Sequence, residues 1–249
     1  MSKITLKDRI RSVFTVTWFI ISMFLSSLVL IPVMILTLGK AQSFMGKYIS
    51  LFVGRTVLKV AGIKLNIHYV GNRPSRPVIY IFNHSSTLDL FILLSLGLDN
   101  IRFVAKREFQ LNPFFLILGN LTGQIFIERG NSKRSLLKLK RSYERIKRRN
   151  LSVVMGPEGS RKHEGIIGPF KKGAFFMAKD LGYPVVPMYF DKAYTLCYGQ
   201  SIVTKKGTVN VYIHPEIETT NWKREEVIYH MKSIREKYLE WAGVVEASD

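Results

Sequence analysis

Val78-Ile79-Tyr80-Ile81-Phe82-Asn83-His84-Ser85-Ser86-Thr87-Leu88-Asp89 is the stretch that decides the fold. Five consecutive apolar residues, three of them β-branched, predict a buried strand. Polar residues then break the run, and Leu90-Phe91-Ile92-Leu93-Leu94 predicts a helix immediately afterwards. A strand that turns directly into a helix is the opening of an α/β unit.

The same texture recurs downstream. Arg102-Phe103-Val104-Ala105 ends at Lys106, and Gln124-Ile125-Phe126-Ile127 ends at Glu128-Arg129-Gly130. Further strands are expected at 151–155, 185–189 and 209–213. Helices are expected over about 132–149, where Leu136, Leu139, Tyr143 and Ile146 repeat at helical spacing, over 171–181, and from about Asn221. The expectation is an α/β fold over 63–249, a mixed central sheet flanked by helices.

Residues 1–62 read differently. The 28 residues between Arg11 and Lys40 carry no charge, which exceeds the roughly 20 apolar residues that cross a bilayer. Ser22, Ser26, Ser27 and Pro32 interrupt the run. A second apolar helix is expected over 41–61, with Lys47, Arg55 and Lys59 able to reach headgroups. No Ala-x-Ala cleavage site follows, so a signal peptide is disfavoured. The expectation is a membrane-anchoring two-helix hairpin, either spanning or confined to one leaflet.

Charge supports that reading. The net charge is +19, hydrophobic residues make up 47%, and the mean hydropathy is +0.09. Residues 9–88 hold nine cations and no acid, and 133–149 hold nine cations against Glu144. These segments supply +9 and +8, so nearly all the excess is local and suits a polyanion, with the apolar run selecting an anionic phospholipid membrane over nucleic acid. The chain also has none of the usual zinc or RNA-binding modules. Cys197 is the single cysteine, which excludes an internal disulfide and fits a reducing compartment.

The candidate chemistry sits where strands end, the place ligands gather in open α/β sheets. His84 and Asp89 have four residues between them, a base and an acid able to fix its tautomer. Ser86-Thr87-Leu88-Asp89 also has the form of a capping box, in which Asp89 would only satisfy a helix amide; the two roles are compatible. Gly156-Pro157-Glu158-Gly159-Ser160-Arg161 is a glycine-bracketed turn with an acid and a forked cation, suited to a phosphate. Arg129 and Lys106 close two other strands. No G-x-S-x-G elbow, P-loop or G-x-G-x-x-G occurs, and the five histidines form no H-E-x-x-H pair. Neither a serine nucleophile, a nucleotide cofactor nor a catalytic metal is expected.

These motifs together resemble the glycerolipid acyltransferases. Asn83 to Asp89 matches their H-x4-D motif, and Phe126-Ile127-Glu128-Arg129-Gly130 is similar to the second. Gly156 to Arg161 resembles the third, commonly Phe-Pro-Glu-Gly-Thr-Arg, and Val186-Pro187-Met188 is similar to the fourth. Gly156 departs from the usual aromatic. The likeness spans roughly 60–215 and is strongest to the bacterial 1-acyl-sn-glycerol-3-phosphate acyltransferases. It implies transfer of an acyl chain from a thioester, acyl carrier protein or coenzyme A being the co-substrate, to the sn-2 hydroxyl of lysophosphatidic acid. By the same resemblance His84 is the general base oriented by Asp89, Glu158 and Arg161 belong to the acceptor site, and Arg129 binds phosphate. Lys106 is added as a further phosphate cation and the Gly159 amide as an oxyanion donor. No cofactor is implied, and the location implied is the cytoplasmic face of an inner or plasma membrane. Phe114 to Leu118 is a candidate wall for the acyl chain, or simply a buried helix.

Overall fold

The structure is a computed structural model and describes residues 3–106, 111, 113–127, 133–161 and 167–244. The charge-free run is helix α1 (Leu6–Leu36), capped by Thr5, which exchanges hydrogen bonds with Asp8. Its serines do not break it. Ser22 and Ser27 donate to the carbonyls of Phe19 and Met23 in the helix's own preceding turn, so each hydroxyl is satisfied without solvent. Pro32 also lies inside α1, where it removes one intrahelical hydrogen bond without ending the helix.

A short turn leads to α2 (Gln42–Ala61), which stops at Gly62 in the left-handed conformation (φ 72°). Only α1, among the described residues, is long and apolar enough to cross a membrane. The second helix of the expected hairpin is not, because Lys47, Arg55 and Lys59 dilute it. Instead α2 packs against both α1 and the helix after the second strand. A Cβ added at Gly54 would lie 2.6 Å from the backbone nitrogen of Ser95, so the two helices touch through backbone.

The α/β portion comprises β1 (Ile63–Tyr69), β2 (Ile79–Phe82), α3 (Leu88–Ser95), β3 (Ile101–Lys106), α4 (Pro113–Leu121), β4 (Ile125–Ile127), α5 (Lys133–Arg148), β5 (Ser152–Met155), α6 (Gly173–Leu181), β6 (Val185–Asp191), α7 (Ala193–Leu196), β7 (Gly207–Ile213) and α8 (Val227–Trp241). The strands form one sheet in the order β1-β7-β6-β2-β5-β3-β4. All neighbours are parallel except β6 and β7. The sheet is therefore mixed, as expected, with β2 near its centre.

The apolar run of β2 is buried on both sides. Ile79 and Ile81 face a core that holds Phe175 of α6 and Tyr238 of α8. Tyr80 and Phe82 face the other core, with Leu88 and Ile92 of α3 and Leu58 of α2. This two-sided burial explains why the segment is continuously apolar rather than alternating.

Candidate active site

The end of β2 is pinned before the reactive residues begin. Asn83 is fully buried, and its side chain imitates a strand: Oδ1 accepts from the Phe190 N–H at 2.8 Å and Nδ2 donates to the Phe190 carbonyl at 3.2 Å. The Tyr238 hydroxyl shares its one proton between the carbonyls of Ile81 (2.9 Å) and Met188 (3.1 Å) and accepts from the Met188 N–H (3.2 Å). Burial pushes the Tyr238 phenol well above its ordinary pKa, so it stays a neutral donor. Neither residue stands out chemically in the sequence; Asn83 was visible only as the neighbour of His84.

His84 Nδ1 lies 3.0 Å from Asp89 Oδ2. Asp89 is completely buried, whereas the His84 side chain keeps 28% exposure, so one edge of the ring reaches solvent. The same Oδ2 accepts the Ser86 N–H at 2.9 Å. One carboxylate oxygen of Asp89 thus touches both the imidazole and the amide that precedes α3. Ser86 completes the turn by accepting the Leu88 N–H at 3.1 Å. Burial pushes the Asp89 carboxyl above the usual carboxylate range, and neighbouring Glu158 adds to this; the His84 and Ser86 hydrogen bonds pull the other way.

The glycine-bracketed turn after β5 meets this loop directly. Glu158 is buried, and its Oε1 accepts the backbone N–H of His84 at 3.1 Å. The Gly159 N–H closes the turn on the Gly156 carbonyl at 3.0 Å, with Gly159 at φ 68°, a conformation that favours glycine. Arg161 Nη1 donates to Thr87 Oγ1 at 3.0 Å and approaches the Ser86 carbonyl at 3.5 Å. Glu158 therefore holds the loop at His84 and Arg161 holds it at Ser86 and Thr87.

A third segment, between α7 and β7, supports the loop from outside. Ser86 Oγ donates to the Cys197 carbonyl at 2.6 Å, Thr87 Oγ1 to the Gly199 carbonyl at 3.3 Å, and the Gly199 N–H to the Ser85 carbonyl at 3.1 Å. The Cys197 thiol is buried, which raises its pKa, and its Sγ donates to the Ser201 carbonyl. Further along, the Thr204 N–H donates to Ser12 Oγ (2.9 Å) and the Thr204 carbonyl accepts from Arg11 (2.7 Å), both on α1. This strap ties the apolar helix to the reactive loop.

Lys106 is the last residue of β3, at the same end of the sheet as His84, and its side chain lies outside the described residues. Arg129 also lies outside them. In α4, Leu116 and Ile117 are exposed rather than buried.

The geometry is that of a carboxylate-oriented imidazole at the mouth of a mixed α/β sheet. A family model for acyltransferases matches residues 64–191, half of the chain. The chain belongs to the acyltransferase family. It is 30% identical over 217 residues to a 1-acyl-sn-glycerol-3-phosphate acyltransferase of Limnanthes douglasii, covering 84% of this chain and 74% of that one. A human enzyme, 1-acyl-sn-glycerol-3-phosphate acyltransferase beta, is 33% identical over 154 residues, 61% of this chain and 55% of its own. The crystal structure of the 1-acyl-sn-glycerophosphate acyltransferase from Thermotoga maritima superposes with a TM-score of 0.71 at 20% identity, covering 97% of this chain and all of the other. It shares the fold. The expectations of an α/β acyltransferase fold and of this enzyme family both hold.

Proposed function

We propose that this acyltransferase moves a fatty acyl group from a thioester, carried by acyl carrier protein or coenzyme A, to the sn-2 hydroxyl of 1-acyl-glycerol-3-phosphate, giving phosphatidic acid. The observation that carries this reading is the 3.0 Å contact between His84 Nδ1 and buried Asp89, with the ring partly exposed. An alcohol is a weak nucleophile at neutral pH and needs its proton removed as it attacks. With Nδ1 turned to Asp89, Nε2 takes that proton and Asp89 stabilises the imidazolium. As the tetrahedral adduct collapses, the C–S bond breaks and Nε2 returns the proton to the departing thiolate. One ester forms, one thiol is released, and no acyl-enzyme is required.

Two anchoring roles divide the remaining residues. Glu158 positions His84 through its backbone amide, whereas the Gly159 N–H, expected to serve the oxyanion, is held by the Gly156 carbonyl and shapes the turn. Arg129, Arg161 and Lys106 supply cations for the acceptor phosphate, with Arg161 already at the loop's edge through Thr87. General-base help contributes about 10²–10⁴-fold, so positioning of both substrates must supply the rest.

The membrane enters through α1. It touches the α/β portion along its length: Ser12 and Arg11 bond Thr204, Phe19 packs edge-on against Phe91 of α3 at 5.2 Å, and α1 also packs against α4. The opposite face exposes Phe14, Ile21, Phe24, Leu28 and Ile35. A helix fastened along its length to one side of a domain lies in a single leaflet rather than crossing it. Lys140, Arg141, Lys147 and Arg148 are exposed on α5, Arg149 just past its end, and they favour anionic headgroups at the cytoplasmic face.

The deciding experiment is a panel of acceptors with purified protein and a long-chain acyl thioester. Lysophosphatidic acid should be the best acceptor. Preference for glycerol 3-phosphate or for a non-phosphorylated lysolipid would overturn the substrate assignment.

A further inference from the structure

Phe82 ends β2, and Gly156 directly follows the neighbouring parallel strand β5. The register pairs Tyr80 with Val154 and Ile81 with Met155, and each of the two is the next residue in the chain after that last pair. The Phe82 ring packs edge-on against the His84 ring, centroids 5.3 Å apart and planes at 74°, and is itself stacked on Phe190 at 5.6 Å. A Cβ placed on Gly156 would come 2.9 Å from His84 Cβ, 3.2 Å from its Cγ and 3.3 Å from Phe82 Cζ. Gly156 is not among the glycines with positive φ. Its backbone is thus open to other residues, and space alone requires glycine here.

We infer that Gly156 and Phe82 are positioning residues that clamp the His84 imidazole onto Asp89, the bare Cα of Gly156 admitting the ring and the Phe82 ring fixing its tilt. This also accounts for the departure at 156. The volume that a side chain at 156 would enter is filled by Phe82 and His84. The inference rests on His84 being the base proposed above. Adding one methyl at 156 forces His84 Cβ back from 2.9 Å toward the 3.4 Å where ordinary contact begins, on a ring whose bond to Asp89 is only 3.0 Å long.

The test is steady-state kinetics on purified, detergent-solubilised Gly156→Ala and Phe82→Leu, with His84→Ala in parallel and folding followed by circular dichroism. Gly156→Ala should lower kcat about tenfold while KM for lysophosphatidic acid changes by less than about twofold, since positioning errors act on the chemical step. Phe82→Leu keeps most of the volume but removes the ring, and should lower kcat about threefold or more, again without a KM change. Wild-type kcat in folded Gly156→Ala overturns the inference, because alanine at an ordinary φ should then merely stiffen the unfolded chain. If Gly156→Ala does not fold, Phe82→Leu decides alone: wild-type kcat overturns the clamp and a lowered kcat supports it. An inactive His84→Ala beside a fully active Gly156→Ala removes only the clamp. An active His84→Ala removes the proposed mechanism itself.

Discussion

Replacing Asp89 by Asn isolates what the carboxylate does, because it changes charge and hydrogen-bond sense but hardly volume. One oxygen, Oδ2, presently serves both His84 Nδ1 and the Ser86 N–H, at 3.0 and 2.9 Å. An asparagine can keep its carbonyl there, in which case His84 retains its tautomer but the imidazolium formed during attack faces a neutral dipole. If its NH₂ turns inward instead, that group opposes the Ser86 N–H and draws the imidazole proton to Nε2, which abolishes the base. Even the milder case is severe. Two unit charges about 4 Å apart at an effective dielectric near 20 interact by about 4 kcal/mol, roughly a thousandfold in rate. The fold should survive, since burial already raises the Asp89 pKa and a neutral side chain relieves that penalty. The assay is release of free thiol from acyl-coenzyme A or acyl carrier protein in the presence of lysophosphatidic acid, using host cells lacking their own enzyme of this class. A folded Asp89→Asn variant with kcat within about threefold of wild type would reduce Asp89 to a helix cap and refute the reasoning.

Four further outcomes are expected. Tyr238→Phe leaves the Ile81 and Met188 backbone groups without their buried partner, so stability should fall by about 1–3 kcal/mol in chemical denaturation while activity per folded molecule is kept. Arg161→Gln should raise KM for lysophosphatidic acid about tenfold or more through loss of a charge-assisted contact, with an unchanged KM moving Arg161 out of the acceptor site. Cys197 is the only cysteine and is buried, so cysteines introduced at exposed Leu6 and Leu38 can be labelled selectively. Both should react with a membrane-impermeant reagent from the same face of sealed vesicles, and labelling from opposite faces would show that α1 spans. Flotation on anionic vesicles should weaken between about 0.05 and 0.5 M salt yet persist on the apolar face, whereas complete release would make the attachment purely electrostatic.

How much was legible follows from where each signal lives. The β2 run could be read because two-sided burial demands unbroken apolar residues, and β7 because its buried apolar residues alternate. β1 was missed although Ile63, Leu65, Ile67 and Tyr69 alternate with Lys64, Asn66 and His68; flanked by α2 and a polar turn, it reads as a linker until β7 pairs with it. The short α7 carries no periodicity at all. His84 and Asp89 could be found because they are close in the chain. Asn83 paired to Phe190, Tyr238 under β2, and the Cys197 to Thr204 strap could not, since each acts across a long sequence separation and through backbone groups that every residue possesses. Glu158 was legible as part of a turn, but its bond to the His84 amide depends on β2 and β5 lying side by side.

The strap also explains why a soluble-looking sheet enzyme carries its apolar helix so tightly. α1 could have been joined by α2 alone, leaving its first turns free. Instead Ser12 is buried, receives the Thr204 N–H, and returns its own proton to the Asp8 carbonyl, while Arg11 reaches both Asp8 and the Thr204 carbonyl. The same strap, seven residues earlier, accepts the Ser86 hydroxyl that shapes the turn between His84 and Asp89. A lysolipid keeps its acyl tail in the bilayer and exposes only a glycerol phosphate, so the base must sit at a fixed height above the leaflet. On the proposed reading, fastening the His84–Asp89 loop and α1 to one short segment would set that height close to the chemistry. Ser12→Ala leaves the Thr204 N–H without its buried acceptor, at a cost of about 1–3 kcal/mol. If the strap transmits position, activity toward lysophosphatidic acid in bilayers should fall more than activity toward a short-chain acceptor dissolved in water. Equal losses on both acceptors would mean that Ser12 stabilises the fold and nothing more.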